Sequence, residues 1–364
     1  MKKILRIASY PTIQESGRGL HCYQISKLNG CKVIYLTWFN TNSTPFKVPK
    51  GVKLYVSKFY NVENPRFGTL MQKILFHLYR LYRIFTFSFF GIYLMLKHNV
   101  SYVHVHSPMF FLVSVFSKIF GKKNIITFHG ADYFRIENAI WYKIIANIFD
   151  LVFSISPRYI PKLKKIHKCK IVQIYNGIDL NIYKNFDQQR KRQIVAVANF
   201  KPQKGLKFLI TGFEKFIKNN PEYSDYKLIV AGKGILFNNI KEKIYELNLQ
   251  SKVHLVGQKN REQLIQIYNE SEIFILSSIW EGFAKVLLEA MACGCKVIST
   301  KVDSAPLLLN DWGFMIDHSK SNQICSSLRK LLKSKYNFDK QSKSVKKFTW
   351  DRVREMYLNQ LEKI

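Results

Sequence analysis

The chain has 364 residues, enough for two domains with separate cores, and its 47% apolar content excludes a disordered protein. Its formal net charge of +33 predicts an anionic partner, such as nucleic acid, an acidic membrane surface or a phosphorylated substrate. An AT-rich genome that favours lysine codons is the alternative explanation of this charge.

The cysteines and the start of the chain bear on the compartment. The six cysteines show no metal-binding spacing, and Cys293 and Cys295 are too close for a C-x-x-C knuckle. We therefore expect reduced, buried thiols and a cytosolic protein. The opening MKKILRIASY lacks a long apolar segment and a small-residue cleavage site, so it predicts a first strand and not a signal peptide.

The first half of the chain alternates short β-rich runs with helical patterns, which predicts a parallel sheet with helices on both faces. The predicted strands are residues 4–9, 32–38, 102–106, 124–128, 151–156 and 171–174. Ligands of such sheets bind beyond the carboxyl ends of the strands. His129 follows one strand and is a functional candidate, although a lone histidine is usually structural. Gly17 and Gly19 lie in a loop that suits a phosphate, with a plain turn as the alternative.

Residues 73–98 are rich in aromatic and basic side chains. Their uninterrupted apolar part, residues 84–96, is shorter than the roughly 18 residues that a membrane-spanning helix needs. One interpretation is one or two buried helices packed against the first sheet. The other is an amphipathic surface that enters lipid headgroups, with its basic side chains outward.

The second half repeats the alternation after residues 184–192, a polar and charged stretch that predicts a linker. The predicted strands are residues 194–197, 227–231, 253–256, 273–276, 297–300 and 314–316, and the final helix is 350–361. The chain is therefore expected to contain two doubly wound halves.

Two acids mark the stretch between residues 273 and 300, which predicts a strand, a loop, a helix and a second strand. Glu281 lies on the loop, and Glu289 lies inside an apolar helix that begins near Ala284. An i,i+4 pair with Lys285 is the structural explanation of Glu289, but such a pair contributes only about 0.3 kcal/mol. That is too little to explain an acid in so apolar a helix, so we expect a functional role.

Five segments in order resemble one family, the retaining glycosyltransferases of family 4 (group 1). The E-x7-E pattern is at 281–294, and the supporting segments are 126–134, 174–183, 197–205 and 348–353. The resemblance implies the GT-B fold, an α/β architecture of two doubly wound Rossmann-like domains facing a central cleft. It implies an acceptor-binding domain at 1–187, a nucleotide-sugar-binding domain at 188–345, and a C-terminal helix at 346–364 that crosses back to the first domain.

The resemblance also implies site residues. Lys204 would bind the donor diphosphate, Glu281 would face the transferred sugar, and Glu289 would accept hydrogen bonds from the ribose. His129 would contact a hydroxyl of the transferred sugar. Further donor-binding candidates are Gly17, Gly19, Asn199, Gly232, Gly282, Phe283 and Ala284.

The sequence departs from the family at three places. Asn199 stands where an arginine is common, so Lys201 or Arg18 would have to compensate, or the diphosphate is held less tightly. Ala284 stands where the family usually has glycine, and 303–304 replace a glycine pair. These departures leave open a catalytically weak nucleotide-sugar-binding protein.

The resemblance implies transfer from a nucleoside-diphosphate sugar, such as a UDP-sugar, to a membrane-associated glycan or glycolipid in bacterial envelope polysaccharide synthesis. A nucleotide-sugar epimerase on the same scaffold is the alternative enzyme. No D-x-D motif follows a predicted strand, so neither a metal nor another cofactor is expected. No nucleic-acid-binding module is present, so nucleic acid is not an expected partner. The expected location is cytoplasmic, peripheral on the inner face of the cytoplasmic membrane.

Overall fold

The computed structural model describes residues 1–8, 17–38, 48–57, 69–130, 132–133, 136–309 and 313–364. The chain divides into two compact units. Unit 1 comprises Met1–Asn176 and Trp350–Ile364, and unit 2 comprises Gly177–Thr349. The division falls at 176/177 and 349/350, whereas the sequence analysis placed the boundaries after residues 187 and 345.

Unit 1 is built on a parallel sheet with the strand order β3-β2-β1-β4-β5-β6-β7. The interior strand β1 pairs on both sides, and Leu5 lies opposite Ile34 on one side and Val103 on the other. Both faces of this strand are covered in its second half, where Ile4, Leu5, Arg6 and Ile7 are fully buried. The strands are β1 Lys2–Ile7, β2 Cys31–Trp38, β3 Val52–Ser57, β4 Tyr102–Val105, β5 Lys123–Phe128, β6 Leu151–Ser154 and β7 Lys170–Gln173.

Unit 2 is built on a second parallel sheet with the order β10-β9-β8-β11-β12-β13. Its strands are β8 Lys191–Val197, β9 Lys227–Ala231, β10 Val253–Gly257, β11 Ser271–Leu276, β12 Lys296–Thr300 and β13 Phe314–Ile316. In both sheets, the long connections between parallel strands contain helices, as the alternation predicted. The doubly wound architecture of each half is confirmed.

The helices cover the two sheets. They are α1 Gly17–Gln24, α2 Leu70–Lys97, α3 Phe111–Ile119, α4 Ile140–Ile145, α5 Ile160–Lys164, α6 Leu206–Asn219, α7 Phe237–Glu246, α8 Arg261–Glu270, α9 Lys285–Ala292, α10 Ala305–Leu309, α11 Asn322–Lys333, α12 Phe338–Lys346 and α13 Trp350–Leu361. The last helix, α13, belongs to unit 1, where Val353 and Tyr357 are fully buried. The Tyr102 hydroxyl donates to the Leu361 carbonyl at 3.2 Å.

Helix α2 is a single helix whose two halves lie in different surroundings. Near its C-terminal end, Phe87, Leu94 and Met95 are buried in the core of unit 1. Near its start, Leu70 and Leu75 are 74% and 57% exposed. Neither sequence interpretation describes the whole helix, because the C-terminal half packs on the sheet and the N-terminal half does not. Among the described residues, no helix is both long and apolar enough to cross a bilayer.

The predicted linker at 184–192 is wrong. Strand β8 begins at Lys191, and the Arg190 guanidinium donates to the carbonyls of Tyr268, Ser271 and Cys293 at 3.0, 2.6 and 2.6 Å. The stretch has the composition of a linker because its charged side chains are either exposed or satisfy backbone carbonyls. It is therefore an integral part of unit 2.

Candidate functional site

The loop after β8 is tied to the loop after β11. Gly205 adopts φ +60°, and a Cβ there would lie 2.2 Å from the Ser277 carbonyl oxygen, so only glycine permits this approach. The Ser277 hydroxyl donates to the Lys204 carbonyl at 2.8 Å, and the Ile279 amide donates to the Gln203 carbonyl at 2.7 Å. These contacts fix Lys204 at the carboxyl end of the sheet.

Lys204 and Glu281, both predicted site residues, form an ion pair. The Lys204 Nζ and the Glu281 Oε1 are 2.5 Å apart, and both side chains are only about one-sixth exposed. The Ser278 hydroxyl donates to the same carboxylate oxygen at 2.7 Å. An amine and a carboxylate at a strand end can contact a diphosphate and a sugar hydroxyl respectively, and each holds the other in position.

The start of α9 carries the next three candidates. Gly282 lies between Glu281 and Phe283, and Phe283 and Ala284 are buried. The Ala284 amide donates to the hydroxyl of Ser304, which is fully buried, at 2.8 Å. The backbone amide of the donor-binding candidate Ala284 therefore already has a partner within unit 2.

Glu289 lies inside α9 and is 4% exposed. Its carboxylate is 3.2 Å from the Lys285 Nζ and accepts from the Tyr268 hydroxyl at 3.4 Å. Tyr183 also hydrogen-bonds this carboxylate, and burial together with the Glu289 charge raises the pKa of Tyr183 far above its usual value. The i,i+4 pair with Lys285 is present, and two tyrosines also bond to the carboxylate. Polar side chains therefore surround this acid, although the helix that carries it is otherwise mostly apolar.

Gly232 and Asn199 lie beside the strand ends of β9 and β8. Gly232 has φ +145°, and a Cβ there would lie 1.8 Å from the Ala198 carbonyl oxygen, so glycine is required for the two loops to meet. The side chain of Asn199 is exposed, and so is that of Lys201. Asn199 therefore lies at the same edge of the sheet as Lys204, whose amine pairs with Glu281.

His129 lies at the carboxyl end of β5 in unit 1. Its Nε2 is 3.0 Å from the His106 Nδ1, and its backbone amide donates to Asp132 Oδ2 at 3.1 Å. Burial lowers the pKa of His129 well below its usual value, and the charge of Arg18 and the nearby rings of His21 and His104 lower it further. The neutral imidazole is therefore the stable form at pH 7, which suits a hydrogen bond to a hydroxyl.

The structure places Gly17 and Gly19 in the first turn of α1 and not in a loop. The residues of the predicted loop that precede Gly17 lie within 9–16, outside the described part of the chain. Arg18, proposed to compensate for Asn199, donates to both carboxylate oxygens of Asp132 at 2.7 Å. Because Asp132 is 1% exposed, this pair anchors the His129 loop, and Arg18 is not a free cation.

Sequence reasoning missed several residues that complete these clusters. Residues 303–304 were noted only as a departure from the family, and the contact of Ser304 with the Ala284 amide was not predicted. Tyr183 gave no local signal, because its role depends on contacts across unit 2. His106 did give one, since β-strand periodicity places residues 104 and 106 of the YVHVH run on the same face. Cys22 is a further residue that the sequence analysis missed. Its Sγ, one ring nitrogen of His106 and one ring nitrogen of His129 lie within 4.8 Å of one another.

Comparison with known proteins identifies the family. A family profile described as "Glycosyl transferases group 1" matches residues 179–348, and one described as "Glycosyltransferase Family 4" matches residues 32–182. The chain belongs to the group 1 (family 4) glycosyltransferases. The two profiles meet near the start of unit 2, so each half of this glycosyltransferase is recognised by itself.

A Campylobacter jejuni relative is named N-acetylgalactosamine-N,N'-diacetylbacillosaminyl-diphospho-undecaprenol 4-alpha-N-acetylgalactosaminyltransferase. It is 30% identical over 198 residues, which are 51% of this chain and 48% of the relative. The match thus spans about half the length of that protein.

Solved structures confirm the GT-B fold of this family. Sucrose-phosphate synthase from Thermosynechococcus elongatus superposes with a TM-score of 0.77 at 17% identity, covering 100% of this chain and 98% of the other. Anabaena HepE in complex with UDP and glucose superposes with a TM-score of 0.70 at 17% identity, covering all of both chains. At these identities the likeness establishes the fold alone.

Proposed function

We propose that this glycosyltransferase moves one sugar, with retention of configuration, from a nucleoside-diphosphate sugar to a membrane-associated glycan or glycolipid. The observation that carries the proposal is the row of charged side chains along α9 in unit 2. The Lys204–Glu281 pair lies just before the helix, and Glu289 lies inside it. The amine would bind the diphosphate, Glu281 the sugar and Glu289 the ribose.

The pairing of these groups supports the proposal. A buried carboxylate costs free energy unless it is hydrogen-bonded, so an acid such as Glu289 is retained only where its oxygens are used. Its neighbours Lys285, Tyr268 and Tyr183 orient the carboxylate, and about four acceptor sites on its two oxygens leave room for a ribose hydroxyl. The HepE complex with UDP and glucose makes UDP the first nucleotide to test.

Replacing Glu289 by alanine is expected to weaken binding of the nucleoside diphosphate about 10- to 100-fold, because charge-assisted hydrogen bonds contribute about 1.5–3 kcal/mol. The measurement is a thermal-shift titration with UDP, GDP, ADP, CMP and TDP, comparing the ligand-induced shift of each protein with its own ligand-free baseline.

The matched control for this titration is Glu242→Ala, which removes an exposed acid from α7 in the same unit. This variant should keep the full ligand-induced shift. Equal shifts in the wild type and the Glu289 variant for every nucleotide would refute the donor site. Turnover of a bound nucleotide sugar without any acceptor would favour the epimerase.

The membrane part of the proposal rests on the exposed half of α2. A capping box formed by Thr69 and Gln72 starts this helix, and the helix contains no acidic residue. Its exposed apolar and aromatic side chains are Leu70, Met71, Ile74, Leu75, Leu78, Tyr79, Leu81, Tyr82, Phe85 and Phe89. An isolated helix end with this surface is unfavourable in water, and a basic helix of this kind lies in the headgroup region of anionic lipid. The undecaprenol acceptor in the name of the Campylobacter relative supports a lipid-linked acceptor here.

The double variant Leu75→Glu with Leu78→Glu is expected to lose membrane binding by about 100-fold, since each buried leucine contributes at least about 1.5 kcal/mol. Flotation with vesicles of anionic phospholipid, at low and moderate salt, measures this loss. The matched control is Ile119→Glu with Ile235→Glu, which replaces two exposed isoleucines outside α2, 71% and 81% accessible. Absence of wild-type binding at both salt concentrations would contradict the membrane proposal.

A further inference from the structure

A row of buried imidazoles leads from α13 to His129 in unit 1. The His104 Nδ1 is 2.9 Å from the Tyr357 hydroxyl, and its Nε2 is 2.8 Å from the Thr127 hydroxyl. The ring of His104 lies 4.1 Å from the ring of His106, centre to centre. The His106 Nδ1 is in turn 3.0 Å from the His129 Nε2. His106 is therefore held on one side by a fixed ring and meets His129 on the other.

A divalent cation is one conceivable occupant of this cluster, since Cys22, His106 and His129 offer a thiol and two imidazoles. The charge of Arg6 opposes it. The Arg6 guanidinium is fully buried and lies 5.2 Å from the centre of the Tyr357 ring. Within the described part of the chain, none of its three nitrogens has a hydrogen-bond partner. A second positive charge near an uncompensated one in a low-dielectric interior is strongly unfavourable.

A shared proton explains the cluster better. Two neutral imidazoles whose nitrogens are 3.0 Å apart must have one N–H between them. The other nitrogen of His106, Nε2, is buried and has no hydrogen-bond partner among the described residues. If that nitrogen carried the proton, a donor would be orphaned in the interior, and orphaned buried N–H groups are rarer than orphaned acceptors. The proton is therefore best placed on the Nδ1 of His106.

We propose that His106 is a positioning residue for the transfer reaction: its Nδ1–H donates to the Nε2 of His129 and thereby fixes the tautomer of His129. His129 then carries its own proton on Nδ1 and presents that N–H as a donor to a hydroxyl of the transferred sugar. The role in transfer rests on the proposed function, but the tautomer of His129 does not. The groups that surround the pair are Arg6 on β1, Arg18 and His21 on α1, His104 on β4, and Asp132 after β5.

Three substitutions of His106 test whether its Nδ1–H donates a hydrogen bond or whether its ring only fills space. His106→Asn places an amide N–H where Nδ1–H stands, His106→Gln places it near the Nε2 position, and His106→Phe keeps the ring without a donor. We expect the Gln and Phe variants to lower kcat about 10- to 100-fold with little change in donor KM, as for other residues that orient a reacting group. The Asn variant should lie within about 10-fold of the wild type.

The control is His167→Asn, because His167 is a buried histidine of the same unit that bonds to Tyr142 and the Ala146 carbonyl instead. It should leave kcat unchanged. The second readout is the ¹⁵N spectrum of histidine-labelled protein, which reports the tautomer of His129 without any need for activity. His129 should be protonated on Nδ1 in the wild type and should lose this preference in the Phe variant.

Protonation of His129 on Nε2 in the wild type would overturn the inference, whether or not the protein transfers sugar. Equal kcat in the Asn and Gln variants would overturn it as well. If transfer is never detected while the spectra show the expected tautomer, the proposed function fails and the inference about His106 stands. If the Phe variant does not fold, the comparison of Asn with Gln still decides.

Discussion

Replacing Lys204 by methionine is expected to lower kcat/KM by about two to three orders of magnitude, the usual loss when a fixed positive group is removed from developing charge. The leaving diphosphate gains negative charge in the transition state, and Lys204 lies at the strand end where this charge would form. Its position is fixed by Gly205 and by the Ser277 hydroxyl. Initial-rate kinetics with the donor identified by thermal shift measures the effect.

Lys207→Met is the matched control, because Lys207 is an exposed lysine at the start of α6, three residues further along the chain. Its rate should equal that of the wild type. The assay is run both with EDTA and with Mg²⁺, since we propose that transfer needs no divalent cation. A rate that depends on Mg²⁺, or a Lys204 variant as fast as the control, would contradict the assigned role of this amine.

The ion pair of Lys204 with Glu281 leads to a prediction for the same kinetic measurements on variants of both residues. Because the two groups lie 2.5 Å apart, each positions the other, and their effects should not be additive. Glu281→Gln is expected to lower kcat more than it raises donor KM, and the double variant should lose less than the sum of the two single losses. Additive losses would mean that the two residues act separately.

Unit 1 is expected to lose stability as the pH falls from 7 to 5. Burial lowers the pKa of His21 to about 3 and that of His167 to about 4, although a hydrogen bond raises each slightly. Unfolded histidine titrates near pH 6.5, so below that pH the unfolded chain binds protons that the folded chain does not. Each of these two histidines therefore removes about 2 kcal/mol of unfolding free energy by pH 5.

The buried imidazoles of His104, His106 and His129 act in the same direction, because their pKa values also lie well below the usual one. In thermal unfolding experiments, the midpoint temperature at pH 5 should be roughly 10 °C or more below the midpoint temperature at pH 7. The variant His167→Asn lacks one titrating group. Between pH 7 and pH 5 it should therefore lose about 2 kcal/mol less unfolding free energy than the wild type. Identical transitions at both pH values would show that these histidines are not buried in the neutral form.

The secondary structure was largely available from the sequence because it follows from local patterns. Strand β9 and helix α13 begin and end where the sequence pattern placed them. The run at 52–57, which forms β3 at the edge of its sheet, was not predicted because most of its side chains are exposed or half-buried and give no clear apolar pattern. Residues 184–192 resembled a linker because a polar composition does not reveal which side chains bond to buried carbonyls.

For the candidate site as well, some features followed from the sequence and others only from the tertiary structure. The sequence by itself determined which residues carry chemistry, since an acid in an apolar helix and a lysine after a strand are unusual wherever they lie. Only the tertiary structure decided what these residues contact. Glu281 meets Lys204 and Ser304 meets the amide of Ala284 because parallel strands bring distant loops to one edge of a sheet. Such contacts depend on distances set by the whole sheet, and no local pattern encodes them.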